Sequence, residues 1–276
     1  MTPRHSLFHA LVLAPLICIF SANPSSSEGL IDLSLHMDRL FASRSFRGAH
    51  AAIPYRIAVL HRSKSELLPL ILFLHGSDER GIDNTRQMYM GLNILVATIE
   101  RSRRPCVIVA PQCPSAMRWV DADWKAEEHR MKKQPAPPLA TAVELVRSLI
   151  KERLVDPARC YVVGYSMGGF GAWESIQRWP CLFAAAVPVC GGGDERLAER
   201  AARAAVWAFH GAKDTIVKVT RSRRMVQAIV AAGGVPRYTE YADIGHGSWG
   251  LAFANPALVE WLFRQRLSPL SAGGCL

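Results

Sequence analysis

Short apolar runs without polar interruption constrain this chain most. Leu68–Leu74, Cys106–Ala110, Cys160–Val163, Ala184–Val189 and Val206–Phe209 are continuous, Tyr238–Tyr241 is rich in β-formers, and most are bounded by Gly, Pro or Asp. A strand that is apolar at every position needs cover on both faces, which parallel sheets flanked by helices provide. Ile53–Leu60 differs: its apolar residues fall at every second place (Ile53, Tyr55, Ile57, Val59), the pattern of a half-exposed or edge strand. Helical spacing appears between the runs. Leu139, Val143, Val146 and Ile150 share one face, and Met225–Ala232 stops at Gly233-Gly234, a helix C-cap signal. Strands alternating with helices predict an α/β fold with a mostly parallel central sheet and helices on both faces. Asp121–Pro138, with charges, prolines and no period, reads as a long excursion from the sheet and not as a linker.

With 50% hydrophobic residues over 276 positions there is apolar material for one large core, and no fixed-length repeat points to a solenoid or propeller. The formal charge is +10, but the basic residues are scattered (Arg101, Arg103, Arg104; Lys132, Lys133; Arg221, Arg223, Arg224) and lack interleaved aromatics, so no nucleic-acid partner is expected. Arg4 and His5 precede an apolar run from Leu7 to Phe20, followed by small, turn-forming residues. That run is shorter than the roughly 20 residues of a membrane span and reads as a signal peptide over 1–22, predicting a secreted or periplasmic protein without stable membrane insertion. The remaining expected divisions are a poorly defined segment at 23–48, one catalytic domain at 49–267 and a tail at 268–276. Six cysteines remain outside the signal segment (Cys106, Cys113, Cys160, Cys181, Cys190, Cys275), and an oxidising destination would permit disulfides among them in a pairing left open; Cys106, Cys160, Cys181 and Cys190 lie in or beside apolar runs, where a cysteine is usually a small buried hydrophobe, and no C-x-x-C spacing occurs, so no metal is expected.

Chemistry in such a sheet belongs at the carboxyl ends of strands. After Cys160–Val163 comes Gly164-Tyr165-Ser166-Met167-Gly168, a G-x-S-x-G turn between a strand and a helix. It presents a serine oxygen with glycines where side chains would collide, and it aims the Met167 amide at whatever Ser166 attacks. Val206–Phe209 runs into His210-Gly211-Ala212-Lys213-Asp214, and Tyr238–Tyr241 leads to Gly245-His246-Gly247. The order Ser166, Asp214, His246 on successive strand ends is that of α/β-hydrolases and of no other serine-triad fold. Asp243 is the main rival acid and Asp194 a weaker one. Leu68–Leu74 is followed by His75-Gly76-Ser77, where the Ser77 backbone amide is the expected second oxyanion donor; His75 reads as structural support beneath it. Trp119, Trp124 and Trp249 sit in or near these loops, and Trp119 and Trp249 are the candidate substrate contacts.

Taken with Glu79-Arg80-Gly81, Asn84, Ala110-Pro111-Gln112-Cys113-Pro114, Arg118-Trp119, Phe170-Gly171, Cys190–Asp194 and Ser248-Trp249, these motifs make the chain resemble secreted α/β-hydrolases of the dienelactone-hydrolase and prolyl-oligopeptidase-like superfamily, from about Pro54 to Gln265. The resemblance implies a single-domain α/β-hydrolase fold and a serine carboxylesterase without cofactor or metal, with Ser166 as nucleophile, Asp214 as orienting acid and His246 as base. Its partner would be a small-molecule acyl or aryl ester, carbohydrate-linked esters included. A peptidase or phospholipase of the same fold, or a binding protein on the scaffold, is the alternative. Lys218 stands where the superfamily usually has proline, and Gly247 where a polar residue is common. Activity is expected to fall at low pH as His246 charges.

Overall fold

A computed structural model describes residues 36–62 and 67–267; the expected signal peptide (1–22) and tail (268–276) lie outside them. Eight strands form one sheet: β1 (Ala42–Arg47), β2 (Ala52–Leu60), β3 (Leu68–Leu74), β4 (Cys106–Pro111), β5 (Val155–Tyr165), β6 (Ala185–Val189), β7 (Ala205–Gly211) and β8 (Arg237–Tyr241). Their spatial order is β1-β2-β4-β3-β5-β6-β7-β8. The first two are antiparallel to their neighbours, and from β4 onward every pairing is parallel. The helices are α1 (residues 36–40), α2 (Leu92–Ser102), α3 (Pro137–Lys151), α4 (Met167–Arg178), α5 (Ala198–Ala201), α6 (Thr220–Ala231), α7 (Trp249–Ala254) and α8 (Pro256–Leu262).

The continuous apolar runs have the expected cause. Along β3, Leu70, Leu72 and Leu74 join one core cluster with Leu139 and Val143 of α3 and Phe170 of α4, while Ile71 and Phe73 join a second with Leu92 and Leu95 of α2 and Leu258 of α8. Strand β3 therefore buries both alternating faces. The sheet extends further toward the N-terminus than the expected boundary at residue 49. Strand β1 pairs with β2 from Ala42↔Ile57 to Arg47↔Ala52, and Met37 and Phe41 are buried in the second core. The sequence hid this because ASRSFR carries little apolar pattern: its backbone pairs while most of its side chains face solvent.

The excursion after β4 is tied down by arginines reaching its carbonyls. Arg221 donates to Ala126 O (2.9 Å), Arg196 to His129 O (3.2 Å), and Arg178 to Lys132 O (2.7 Å) and Lys133 O (3.0 Å). Cys106, Cys160 and Cys190 are buried free thiols, as is Cys113. Cys181, expected to be a fourth buried apolar cysteine, is instead disulfide-bonded. Among the described residues no helix is long and apolar enough to cross a membrane.

Candidate active site

Strand β5 enters α4 through the G-x-S-x-G turn, where Ser166 takes φ 53° and ψ −120°. A non-glycine residue there is strained, and the surrounding packing holds it. The glycines are required because backbone meets backbone: a Cβ on Gly164 would overlap the Gly168 carbonyl, and one on Gly168 would overlap the carbonyls of Leu74 and His75 at the end of β3. The turn thus wedges directly against the start of the Ser77 loop.

The loops after β7 and β8 deliver the other two groups. Asp214 is buried; its Oδ1 accepts from the amides of Ile216 (2.8 Å) and Val217 (2.9 Å). His246 Nδ1 lies 2.7 Å from Asp214 Oδ2, and its Nε2 lies 2.8 Å from Ser166 Oγ. Because Asp214 only accepts, the ring donates through Nδ1–H and leaves Nε2 to accept from the serine hydroxyl. Burial alone would raise the Asp214 pKa, but hydrogen bonds from His210, His246 and the Val217 amide hold it well below the usual carboxylate range. His210, which sequence reasoning treated only as a lead-in, stands behind the acid. Its Nε2 lies 3.2 Å from Asp214 Oδ2 and 2.9 Å from Val217 O, and its Nδ1 is 2.8 Å from Ser222 Oγ. The rival acids are engaged elsewhere. Exposed Asp243 pairs with Lys213 (2.7 Å), and Asp194 caps a short 3₁₀ turn, accepts from Met131 N and pairs with Arg196.

Ser77 and Met167 flank Ser166, from the β3 loop and the first position of α4. Among the described residues the Ser77 amide has no hydrogen-bond acceptor, and the Met167 amide, at N1 of α4, has no carbonyl one helical turn behind it. His75 supports this loop from below. It is fully buried, donates from Nδ1 to Gly76 O (2.6 Å) and accepts from Cys113 N at Nε2 (2.9 Å); burial lowers its pKa to about 4.

A cleft of about 300 Å³ opens over Ser166, lined by Gly76–Glu79, Met90, Trp124, Tyr165, Ile216, His246 and Trp249. Trp249, one of the two expected substrate contacts, is in this wall, 4.7 Å from Tyr165 between ring centroids. Trp119, the other, is not. It is fully buried, and its indole N–H donates to His75 O (3.0 Å), so it braces the loop and has no face toward the cleft. The residue that does reach the cleft from the same part of the chain is Trp124, with Arg118 stacked on its ring at 4.4 Å. Sequence reasoning gave no role to Tyr165 and Glu79, although both stood inside quoted motifs, and it did not single out Met90 or Ile216, which also line the cleft. Cys190, Asp214 and His246 place ligating atoms within 4.8 Å of one another. A metal there would have to displace the Asp214–His246 hydrogen bond and deprotonate a buried thiol that burial pushes far above its ordinary pKa.

An eight-stranded, mostly parallel sheet bearing a serine on its strand-to-helix elbow, with an acid and a histidine on the two following strand ends, is the α/β-hydrolase fold. The family model of dienelactone hydrolases matches residues 116–257, just over half of the chain. The chain belongs to the dienelactone hydrolase family. A solved thermostable esterase is 35% identical with a TM-score of 0.76; the match covers 84% of this chain and 64% of that one, so the chain spans less than two thirds of that relative. A ferulic acid esterase (16% identity, TM-score 0.61, 81% of this chain and 98% of the other) and the Pyrococcus horikoshii acylaminoacyl peptidase (14%, 0.60, 88% and 44%) share the fold. No curated protein sequence matches the chain significantly.

Proposed function

We propose that this protein is a serine esterase that hydrolyses small acyl or aryl esters, carbohydrate-linked ones included, through a covalent acyl-enzyme. The observation that carries the reading is the unbroken hydrogen-bond chain from Ser166 Oγ through His246 to Asp214. His246 takes the serine proton as Oγ attacks the ester carbonyl, and Asp214 holds the ring in the required tautomer and stabilises the imidazolium. The amides of Ser77 and Met167 receive the oxyanion; one such donor is worth ~3 to 4 kcal/mol of barrier. His246 returns the proton to the leaving alcohol, then activates the water that releases the acid. The esterase at 35% identity supports an ester substrate, and the cleft of about 300 Å³ suits a small one.

The test is labelling by a fluorophosphonate probe together with turnover of p-nitrophenyl esters, feruloyl esters, phospholipids and peptide amides. Labelling and ester turnover that both vanish in Ser166→Ala are expected. Labelling that persists in that variant, or turnover of amides alone, would reject the reading.

A further inference from the structure

The cleft over Ser166 holds an acid whose charge the mechanism does not use. Glu79 lines it with a side chain only 8% exposed, and Tyr165 donates to its Oε2 at 2.6 Å. Among the described residues no cation neutralises it. The nearest candidate, His75 Nδ1 at 3.9 Å, belongs to a ring fixed in its neutral form, with Nδ1–H given to Gly76 O and Nε2 accepting from Cys113 N. Arg80, adjacent in the chain, is turned onto the carbonyls of Ser77 (2.8 Å) and Met117 (3.3 Å). Bracing Tyr165 does not require an acid, because a glutamine oxygen accepts the same hydrogen bond. Burial raises the Glu79 pKa even though Tyr165 and the backbone of Glu79 and Gly76 hydrogen-bond the carboxylate, so its desolvation is offset by dipoles and, among the described residues, by no full positive charge.

Its surroundings suit a cation. Among the described residues the cleft lining contains a second acid, exposed Asp78, and no lysine or arginine, on a protein whose formal charge is +10. Trp249 lines the same cleft as Glu79 and packs on Tyr165, the buried ring whose hydroxyl donates to Glu79; an aromatic face and a carboxylate in one cleft attract an ammonium group through quadrupole and Coulombic terms. Trp124 contributes less, since Arg118 already occupies its ring.

We propose that the substrate carries an ammonium group, on the acyl or the alcohol side of the ester, which seats against Glu79 and the Trp249 ring. The proposal rests on the esterase reading and narrows its substrate class.

Ester pairs matched in shape and differing in charge test it: glycine ethyl ester against ethyl propionate for the acyl side, acetylcholine against 3,3-dimethylbutyl acetate for the alcohol side. Each kcat/KM, measured by pH-stat near neutrality, is divided by the uncatalysed rate of the same ester. The cationic member of at least one pair is expected to lead by about tenfold, and Glu79→Gln, read as the ratio within that pair, to lower the lead by about tenfold. Which pair responds identifies the side. Wild-type protein gives a second measure that needs no variant: tetramethylammonium should inhibit hydrolysis of ethyl propionate about tenfold more strongly than tert-butanol does. Absence of charge preference in both pairs, a preference that survives Glu79→Gln, or equal inhibition by the two small molecules would overturn the proposal and leave the esterase reading standing. Failure of wild-type protein to hydrolyse either cationic ester would likewise overturn the proposal; only absence of turnover of every ester, the p-nitrophenyl and feruloyl esters included, would sink the esterase reading with it.

Discussion

Two tryptophans near the loops around Ser166 have opposite consequences. Trp119 is sealed in the core, fills space against Gly171 and donates to His75 O beneath the Ser77 loop. Trp119→Ala is expected to cost about 3–5 kcal/mol of stability, the range for emptying a buried aromatic site, and to show as a lowered Tm in calorimetry. Trp249 is only partly covered and faces the cleft. Trp249→Ala should raise KM several-fold with a much smaller Tm change; steady-state kinetics and calorimetry on the two proteins would reveal a reversal. Sequence composition could not separate them, because both are large aromatics near strand ends and only side-chain direction decides which meets solvent.

At the scale of the element, the β5–α4 turn is the part of the molecule with least freedom. Its glycines contact the backbone of β3 and the loop after β6: Gly169 packs against Val189 O and Gly191. A methyl at Gly168 would strike main chain that cannot move without shifting the Ser77 loop. Gly168→Ala is therefore expected to yield no soluble folded protein. Gly247, beside the histidine, has open space where its Cβ would stand, and Gly247→Ala should melt within about 1 °C of wild type. Circular dichroism melts of the two variants decide the matter; a stable Gly168→Ala would refute the wedge. The G-x-S-x-G motif was legible because a sharp turn restricts residue type. Strand β1 was not, since an exposed edge strand is held by backbone hydrogen bonds that leave no mark on side-chain choice.

Across the whole molecule, acid sensitivity follows from histidines folded in their neutral form. His75 and His129 both have pKa values lowered to about 4, by burial and, for His129, also by the Arg221 guanidinium. Between the ordinary histidine value of 6.5 and about 4 the unfolded chain binds protons that the folded chain refuses, so stability falls as pH drops through that window. His75 alone accounts for up to about 3 kcal/mol. Asp214 has the opposite habit: its lowered pKa keeps it ionised across the same window, so it contributes none of the loss there. Urea midpoints measured from pH 7 to pH 4 should decline, and His75→Gln should flatten the decline while lowering the plateau. A pH-independent midpoint in the wild type would contradict the neutral, hydrogen-bonded placement of His75.

What the sequence determined by itself was the sheet, its parallel character and the three residues offered by successive strand ends. These follow from local rules: apolar runs demand two covered faces, glycines mark turns that tolerate no Cβ, and chain order in such a sheet fixes which loops share a rim. The tertiary structure alone decided that Trp124 replaces Trp119 in the cleft wall, that His210 stands behind Asp214, and that, among the described residues, Glu79 is left without a counter-charge. Each of those depends on the direction of a single side chain. Direction is set by packing from elements distant in sequence, which no local pattern encodes.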